Sequence, residues 1–168
     1  LWHLQPLMQI MNQPAPDNGY LAAHAEVLIS NYHRCTGRDL VDPELSAQAR
    51  YRALFEAPYG VVSHNSEADP IFNYGNQTAL SVFERDWFEF TKLASRKSAE
   101  PVNRVARERL LARVTQHGFV DDYQGVRISA TGKRFRIEDA TVWNLVDRNG
   151  LYCGQAAVFR RINFDVLS

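Results

Sequence analysis

A polar run between two apolar stretches, residues 63–80, holds the side chains of this chain that are best suited to acid–base chemistry. His64, Glu67 and Asp69 follow one another closely, and a carboxylate beside a histidine can move a proton when the two side chains meet. In the same run, Pro70 favours an extended Asp69, and Asn76 suits the N-cap of a following helix. We weigh a catalytic cluster against a strand–turn–strand–helix passage and favour the passage.

A second set of candidates lies in the C-terminal third: Tyr123, Arg127, Trp143 and Gln155, which period-2 counting can place on one face of a sheet. An arginine buried there without a partner is costly, so Arg127 needs a carboxylate from the protein or from a ligand. The carboxylates nearby in sequence are Asp121, Asp122, Glu138 and Asp139. An internal ion pair is the preferred interpretation. Otherwise Arg127 binds an anionic small molecule, with Trp143 as a flat apolar wall.

Composition predicts one globular domain. The chain has 168 residues, of which 45% are hydrophobic. Its 19 basic and 19 acidic residues balance, so no overall charge favours nucleic acid or an anionic membrane. No apolar run approaches the roughly 20 residues of a membrane span. The two cysteines, Cys35 and Cys153, show no metal-site spacing, and we expect free thiols and a cytoplasmic protein.

For the first part, residues 1–57, we predict an apolar leader and two amphipathic helices. The leader carries Trp2, Leu7 and Ile10 and ends at the break QPAPDNG. We expect it to pack across a homodimer interface or onto its own sheet, because exposed apolar surface is costly. The first helix is predicted from Leu21 onwards, and the second is predicted to begin at Asp42, followed by a proline in the first helical position.

For the second part, residues 58–168, we predict two short strands, three helices and a three-stranded meander. Asn76 and Asp86 are predicted N-caps, and a longer helix runs from Pro101 to Gly118. On that helix we expect an apolar face formed by Val102, Val105, Leu110 and Val114, and a solvated face formed by Arg104, Arg107, Glu108 and Arg113. In the middle strand of the meander, period-2 counting puts Phe135, Ile137, Thr141, Trp143 and Leu145 on one face, and in the last strand Cys153, Gln155, Ala157 and Phe159. The predicted class is α+β, with a five-stranded antiparallel sheet and helices on one face, preceded by the N-terminal helices.

The element order is that of PAS domains, and several long motifs resemble the MEKHLA domain family, whose members look related to PAS. In chain order the motifs are YHRCTGRDL, SHNSEADPIFNYGN, SRKSAEPVNR, HGFVDDYQGVRISATGKRFRIEDATVWNL and GQAAVF. The resemblance implies a ligand-sensing or protein-interaction domain and brings no catalytic residues or cofactor. Some family members are the C-terminal domains of plant class III homeodomain–leucine zipper factors. No homeodomain or zipper heptads precede the motifs here, so we expect no direct contact with nucleic acid.

Haem and flavin stay open as cofactors but are disfavoured. PAS-like haem domains use one axial histidine, and His117 at the end of the long helix is the nearest candidate. Flavin-binding light sensors resemble one another in a cysteine-containing run, and the corresponding stretch here, LASRKSAEP, has no cysteine. Gln155 lies in the last predicted strand, where such sensors place a flavin-facing glutamine, and this similarity alone is weak evidence for a flavin. The histidine spacing also fits no metal motif, and SRKSAEPVNR is either an anion-binding loop or a plain helix cap.

Three functions remain in view. The preferred one is a sensory domain that binds a small organic ligand between sheet and helices. The second is a small enzyme with His64, Asp69, Tyr123 and Arg127 around a polar cavity, and the third is a protein-binding sheet without a ligand. The predicted ligand-binding residues are His64, Asn73, Asn76, Tyr123, Arg127, Trp143 and Gln155.

Overall fold

The structure, a computed structural model, describes residues 12–166, and the predicted packing of the leader falls outside that range. The helices are α1 Ala22–Thr36, α2 Ala47–Phe55, α3 Gln77–Phe83, α4 Trp87–Phe90 and α5 Pro101–His117. The strands are β1 Gly60–His64, β2 Phe72–Gly75, β3 Phe119–Ile128, β4 Arg134–Val146, β5 Tyr152–Phe159 and β6 Arg161–Asn163. A 3-10 turn at Ser95–Ser98 precedes α5.

The sheet is antiparallel throughout, with the strand order β2-β1-β5-β4-β3. The short β6 pairs with the first part of β4 and follows directly after β5. The predicted meander of β3, β4 and β5 is confirmed, and so are the hairpin turns, where Gly132 and Gly150 take the positive φ that such turns need. The α+β class and the antiparallel sheet are as predicted, with β6 as an additional strand.

Helices cover both faces of this sheet. On the face that we call the α1 face, α1 and α2 pack against Val61, Trp143 and Leu145 in one buried cluster. On the opposite face, which we call the α5 face, α3, α4 and α5 cover two further clusters that include Phe83, Phe135, Phe159, Leu110, Val114 and Val142. The three helices between β2 and β3 thus cover one face, as predicted, and the N-terminal helices cover the other.

Of the three predicted N-caps, Asp42, Asn76 and Asp86, two are confirmed. Asn76 accepts a hydrogen bond from the Ala79 amide, and Asp86 forms a capping box with Glu89, so both predicted N-caps are confirmed. The predicted start of the second helix at Asp42 is wrong. Ser46 caps α2, while the Asp42 carboxylate accepts the Glu44 amide in a preceding turn.

Asp139 reverses the alternation of side chains along β4. Its φ is 50°, a left-handed conformation inside a strand, and such an irregularity shifts all following side chains by one position. Phe135 and Ile137 therefore lie on the α5 face, whereas Trp143 and Leu145 lie on the α1 face. The prediction that these residues share one face is wrong for that reason.

Gly154 has a similar effect in β5. Its φ is 144°, and a Cβ at this position would lie 2.0 Å from the carbonyl oxygen of His64, so no larger residue fits. Cys153, before the glycine, packs against the cluster on the α1 face, while Ala157 and Phe159, after it, belong to the α5 face. The predicted common face of β5 thus begins only at Gln155.

Candidate functional site

A cavity lies between the α5 face of the sheet and α5. Its volume is about 60 Å³, which is room for a handful of water-sized groups. Its walls are largely apolar, and the polar residues among them are Ser63, His64, Ser95, Ser98, Arg107, Tyr123, Arg127 and Gln155. No Asp or Glu side chain is among the described residues that line it. The cavity therefore presents positive charge without acidic neutralisation.

Two of the lining residues are buried arginines, one from each wall. Arg107 on α5 is 5% exposed, and Arg127 on β3 is 9% exposed. Within residues 12–166, neither arginine has a carboxylate at ion-pair distance. Burial, and after it the positive charge of Arg127, lowers the pKa of Arg107 to about 10. The Arg107 guanidinium nevertheless stays charged at neutral pH.

The hydrogen bonds of the two arginines go to neutral groups. Arg107 donates through Nη2 to the Ser95 hydroxyl, and Arg127 donates through Nη1 to the Val126 carbonyl oxygen at 3.0 Å. The Arg127 guanidinium also lies 5.5 Å from the centroid of the Tyr123 ring, a cation–π contact. These contacts hold the side chains in place without cancelling their charge.

The preferred interpretation of Arg127, an internal ion pair, is wrong within the described chain. Of the four acidic candidates, Asp121 pairs with Arg38 at 3.7 Å, and Glu138 and Asp139 both pair with Arg161. Asp121, Asp122 and Asp139 are exposed, and Glu138 is half-buried. The structure thus leaves the alternative that was set against the ion pair, an arginine facing a cavity.

His64, at the end of β1, adds an unpaired acceptor to the cavity wall. It is 7% exposed, and its Nδ1 lies 2.9 Å from the carbonyl oxygen of Asn65. Because a carbonyl only accepts, Nδ1 carries the proton in the neutral ring, and Nε2 then offers a lone pair. Nε2 has no hydrogen-bond partner among residues 12–166. Burial lowers the pKa of His64, and the charge of Arg107 lowers it further, so the neutral form prevails at pH 7.

Gln155 lies on the cavity wall but its amide nitrogen is committed to the protein. Nε2 lies within hydrogen-bond distance of the Leu111 carbonyl oxygen, the Thr115 hydroxyl and the Asn144 side-chain oxygen, at 3.2, 3.1 and 3.0 Å. These contacts tie β5 to β4 and to α5. Gln155 therefore fixes the distance between the two walls of the cavity.

Three predicted ligand-binding residues lie elsewhere. Trp143 lies on the α1 face and packs edge-on against Tyr32, with 4.9 Å between ring centroids. Asn73 accepts a hydrogen bond from the Ser63 hydroxyl at 2.5 Å and does not line the cavity. Asn76 is fully buried, and its amide caps α3 and holds backbone groups of three segments. The structure does not bring these three side chains together with Arg127.

The catalytic cluster that the polar run suggested is not assembled among the described residues. Asp69 is exposed and binds Arg96 through a hydrogen bond of 3.0 Å, away from the lining of the cavity. Glu67 is exposed in the turn after β1. His64 therefore has no carboxylate partner for acid–base chemistry, and the run serves as the passage from β1 to β2 and α3. Arg96 in the SRKSAEPVNR loop is likewise occupied by Asp69.

The cavity does not fit the cofactors that PAS-like folds can hold. Its volume of about 60 Å³ is well below the roughly 300–1,000 Å³ of pockets for larger ligands, so a three-ring flavin or a haem does not fit these walls. His117, the candidate axial ligand, is exposed at the end of α5. Cys35 and Cys153 pack against the cluster on the α1 face. Within residues 12–166, no three His, Cys, Asp or Glu side chains are grouped to hold a metal ion.

Arg107 is the site residue that the sequence reasoning missed. It was assigned to the solvated side of its helix together with Arg104 and Arg113, whereas Val105, assigned to the core, is 58% exposed. The spacing of Arg107, Leu110 and Val114 is i, i+3 and i+7, which puts all three on one helix face. That spacing could have placed Arg107 on the buried face. It was overlooked because a charged residue is ordinarily assigned to the solvated face.

The family model for the MEKHLA domain matches residues 22–164. Curated relatives include two homeobox-leucine zipper proteins of Arabidopsis thaliana. ATHB-9 is 29% identical over 87 residues, which are 52% of this chain and 10% of the relative, and ATHB-14 is 26% identical over 121 residues, 70% and 14%. HOX29 of Oryza sativa subsp. indica is 24% identical over 110 residues, 66% and 13%. The chain thus spans 10–14% of the length of these relatives.

Solved structures show the fold. A PAS domain from Colwellia psychrerythraea superposes with a TM-score of 0.60 at 13% identity, covering 69% of this chain and 96% of that one. A light-oxygen-voltage domain studied with a flavin analogue gives 0.57 at 17% identity, with 70% and 87% covered, and a PAS domain of a two-component sensor histidine kinase gives 0.53 at 13%, with 67% and 91%. None of the described helices is long and apolar enough to cross a membrane. The fold is PAS-like, and the chain belongs to the MEKHLA domain family.

Proposed function

We propose that this domain is a sensory module that binds a small organic anion in the cavity between α5 and the sheet. The observation that carries the proposal is the pair of buried arginines, Arg107 and Arg127, without a carboxylate partner in the described chain. Taking a charge out of water costs several kcal/mol even after relaxation, so two such groups facing one cavity need a compensating negative charge.

The chemistry of the two arginines favours a carboxylate as that charge. A guanidinium presents N–H groups in a planar fork that matches the two oxygens of a carboxylate. A ligand between α5 and β3 would neutralise both walls at once and draw them together. In this way binding at the cavity changes the packing of α5 on the sheet, which is the kind of change a sensory domain needs.

The test is a series of thermal unfolding measurements with sodium acetate and sodium propionate, against sodium chloride at the same ionic strength. We expect both carboxylates to raise the melting temperature of the unaltered protein. Arg107→Met and Arg127→Met should abolish the rise, whereas Arg109→Met, at an exposed arginine of the same helix, should retain it. No rise with either salt, or an equal rise in all variants, would contradict the proposal.

Three further points remain proposals. We propose that residues 58–168 form the ligand-binding part, with residues 1–57 packed on it as one compact unit. We also propose that the protein is a cytoplasmic homodimer, in which the apolar leader contributes to the interface. Sedimentation of the full chain and of a chain beginning at Asn12 tests the dimer, because loss of the leader should yield monomers.

A further inference from the structure

We propose that the ligand is a short-chain hydroxycarboxylate, whose carboxylate binds Arg107 and Arg127 and whose hydroxyl donates a hydrogen bond to Nε2 of His64. This inference rests on the proposed function and specifies the ligand class of the same cavity. It follows from three features of the cavity: an unpaired acceptor, a small volume and a positive field.

The unpaired acceptor requires a donor on the ligand. Nε2 of His64 is buried in a wall of the cavity. Because Nδ1 carries the proton and donates it to the Asn65 carbonyl oxygen, Nε2 has a free lone pair and can only accept. A buried acceptor without a partner costs about 1–3 kcal/mol. A simple carboxylate bound to the arginines brings only further acceptors and leaves this cost in place. A ligand with a hydroxyl beside its carboxylate removes it.

The positive field excludes a charged donor. Arg107 and Arg127 both line the cavity, and no acidic side chain among its described lining residues offsets them. An ammonium group, as in an amino acid, would add a third positive charge at close range in a poorly solvated space. The donor is therefore a neutral hydroxyl, and amino acids are disfavoured although their carboxylate fits.

The volume limits the length of the ligand. About 60 Å³ corresponds to roughly five water-sized groups, so molecules with about five or six non-hydrogen atoms fit without displacing the walls. Apolar side chains such as Val142 and Leu110 make up most of the remaining wall, and they suit a methyl or methylene group. A tricarboxylate such as citrate, with about twice that number of atoms, does not fit.

The experiment compares lactate with propionate, which differ only in the hydroxyl, and with alanine, in which an ammonium group replaces it. Calorimetric titration of the full chain should give a dissociation constant for lactate that is about tenfold lower than that for propionate, which is the effect of one hydrogen bond. Alanine should bind more weakly than propionate.

Two variants of His64 assign the preference to its Nε2. His64→Leu should equalise lactate and propionate, whereas His64→Gln, which keeps an acceptor near the same place, should retain part of the difference. His117→Leu, at an exposed histidine of α5, is the matched control and should behave as the unaltered protein. Circular dichroism establishes that each variant is folded.

The outcomes separate the two proposals. Equal binding of lactate and propionate, with loss of both in Arg107→Met, would contradict the hydroxycarboxylate inference and leave anion binding intact. A lactate preference that survives in His64→Leu would contradict the role of His64 and hence the inference. If neither acid binds at millimolar concentration, both proposals fail together.

Discussion

Arg107 on α5 and Arg127 on β3 line one cavity from opposite walls, and the positive charge of Arg127 lowers the pKa of Arg107. Each donates to a neutral acceptor, Ser95 or the Val126 backbone, and within the described chain neither has a carboxylate at ion-pair distance. If these arginines stabilised the fold through ion pairs, each would lie beside an acidic side chain. This arrangement instead costs stability, and the anion site that we propose would account for that cost.

We therefore predict that Arg107→Met stabilises the protein when no organic anion is present. The substitution keeps an apolar stem, removes a buried charge and relieves its repulsion with Arg127. We expect the free energy of unfolding to rise by about 1 kcal/mol, since replacing buried charges with apolar groups is often neutral or stabilising. Urea unfolding of extensively dialysed protein measures it.

Arg109→Met is the control for Arg107→Met, because Arg109 lies on the same helix and is exposed. Its substitution should change the free energy of unfolding by less than about 0.5 kcal/mol. A loss of several kcal/mol in Arg107→Met would instead show that Arg107 stabilises the fold through contacts that outweigh its burial.

Asn76 is predicted to be indispensable for stability. Its Oδ1 accepts from the Val61 and Ala79 amides at 3.0 and 3.1 Å, and its Nδ2 donates to the Leu54 and Tyr59 carbonyl oxygens at 3.1 and 2.8 Å. Asn76→Ala leaves these buried backbone groups unpaired, so we expect a loss of about 3 kcal/mol or more in chemical denaturation.

Asn73→Ala is the matched comparison for Asn76→Ala. Among residues 12–166, the Asn73 side chain has one hydrogen bond, from Ser63, and its removal should cost about 1 kcal/mol. Similar losses for the two variants would contradict the assignment of Asn76 as the joint between α2, β1 and α3. The sequence suggested only the capping contact of Asn76, because its other three partners are distant in sequence and become its neighbours only when the chain folds.

The fold was predictable where the pattern is local. Asn76 and Asp86 identified helix starts, and Gly132 and Gly150 identified hairpins, because caps and turns depend on the identity of one or two residues. The faces of the meander were not predictable in the same way. The left-handed conformation of Asp139 reverses the alternation of β4, and nothing in the residue type requires it, since most aspartates lie at φ below zero.

The conformation of Asp139 leads to a prediction about its substitution. At a φ of 50°, glycine is unstrained and a β-branched side chain is strained, so Asp139→Gly should be more stable than Asp139→Val by about 1–2 kcal/mol. Thermal or urea unfolding measures the difference. The neighbouring Glu138 is not in a positive-φ conformation, and there the order should reverse, with Glu138→Val the more stable. The same order at both positions would contradict the irregularity in β4.

His24 on α1 is predicted to set part of the acid sensitivity of the fold. Its Nε2 lies 2.9 Å from the Ser63 hydroxyl, its ring stacks on Tyr74, and burial lowers its pKa to about 4 from 6.5. Between pH 6.5 and 4 the unfolded chain takes up this proton and the folded chain does not. The free energy of unfolding should thus fall by about 2–3 kcal/mol as the pH falls through that window.

His24→Gln, which cannot titrate, should flatten this part of the pH profile in urea unfolding between pH 7 and 4.5. His33→Gln, at a histidine of the same helix whose side chain is 61% exposed, should retain the full slope. If the profile of His24→Gln equals that of the unaltered protein, His24 does not lose its proton on folding.

Half of the candidate site was predictable and half was not. Period-2 counting identified Tyr123, Arg127 and Gln155, and the polar run identified His64; all four line the cavity. Arg107 was missed because a charged residue on a charged helix is ordinarily solvated. The packing of α5 on β3 shows that Arg107 shares the buried face of the helix with Leu110 and Val114.

The central claim is that Arg107 and Arg127 bind one small carboxylate between them. Its most direct test follows the side-chain Nε–H signals of the arginines by NMR while lactate or propionate is added. The account predicts that the signals of Arg107 and Arg127 shift together with one dissociation constant for a given acid, while that of Arg109 stays in place. Signals of Arg107 and Arg127 that stay unchanged with both acids, or that follow two different constants, would contradict it.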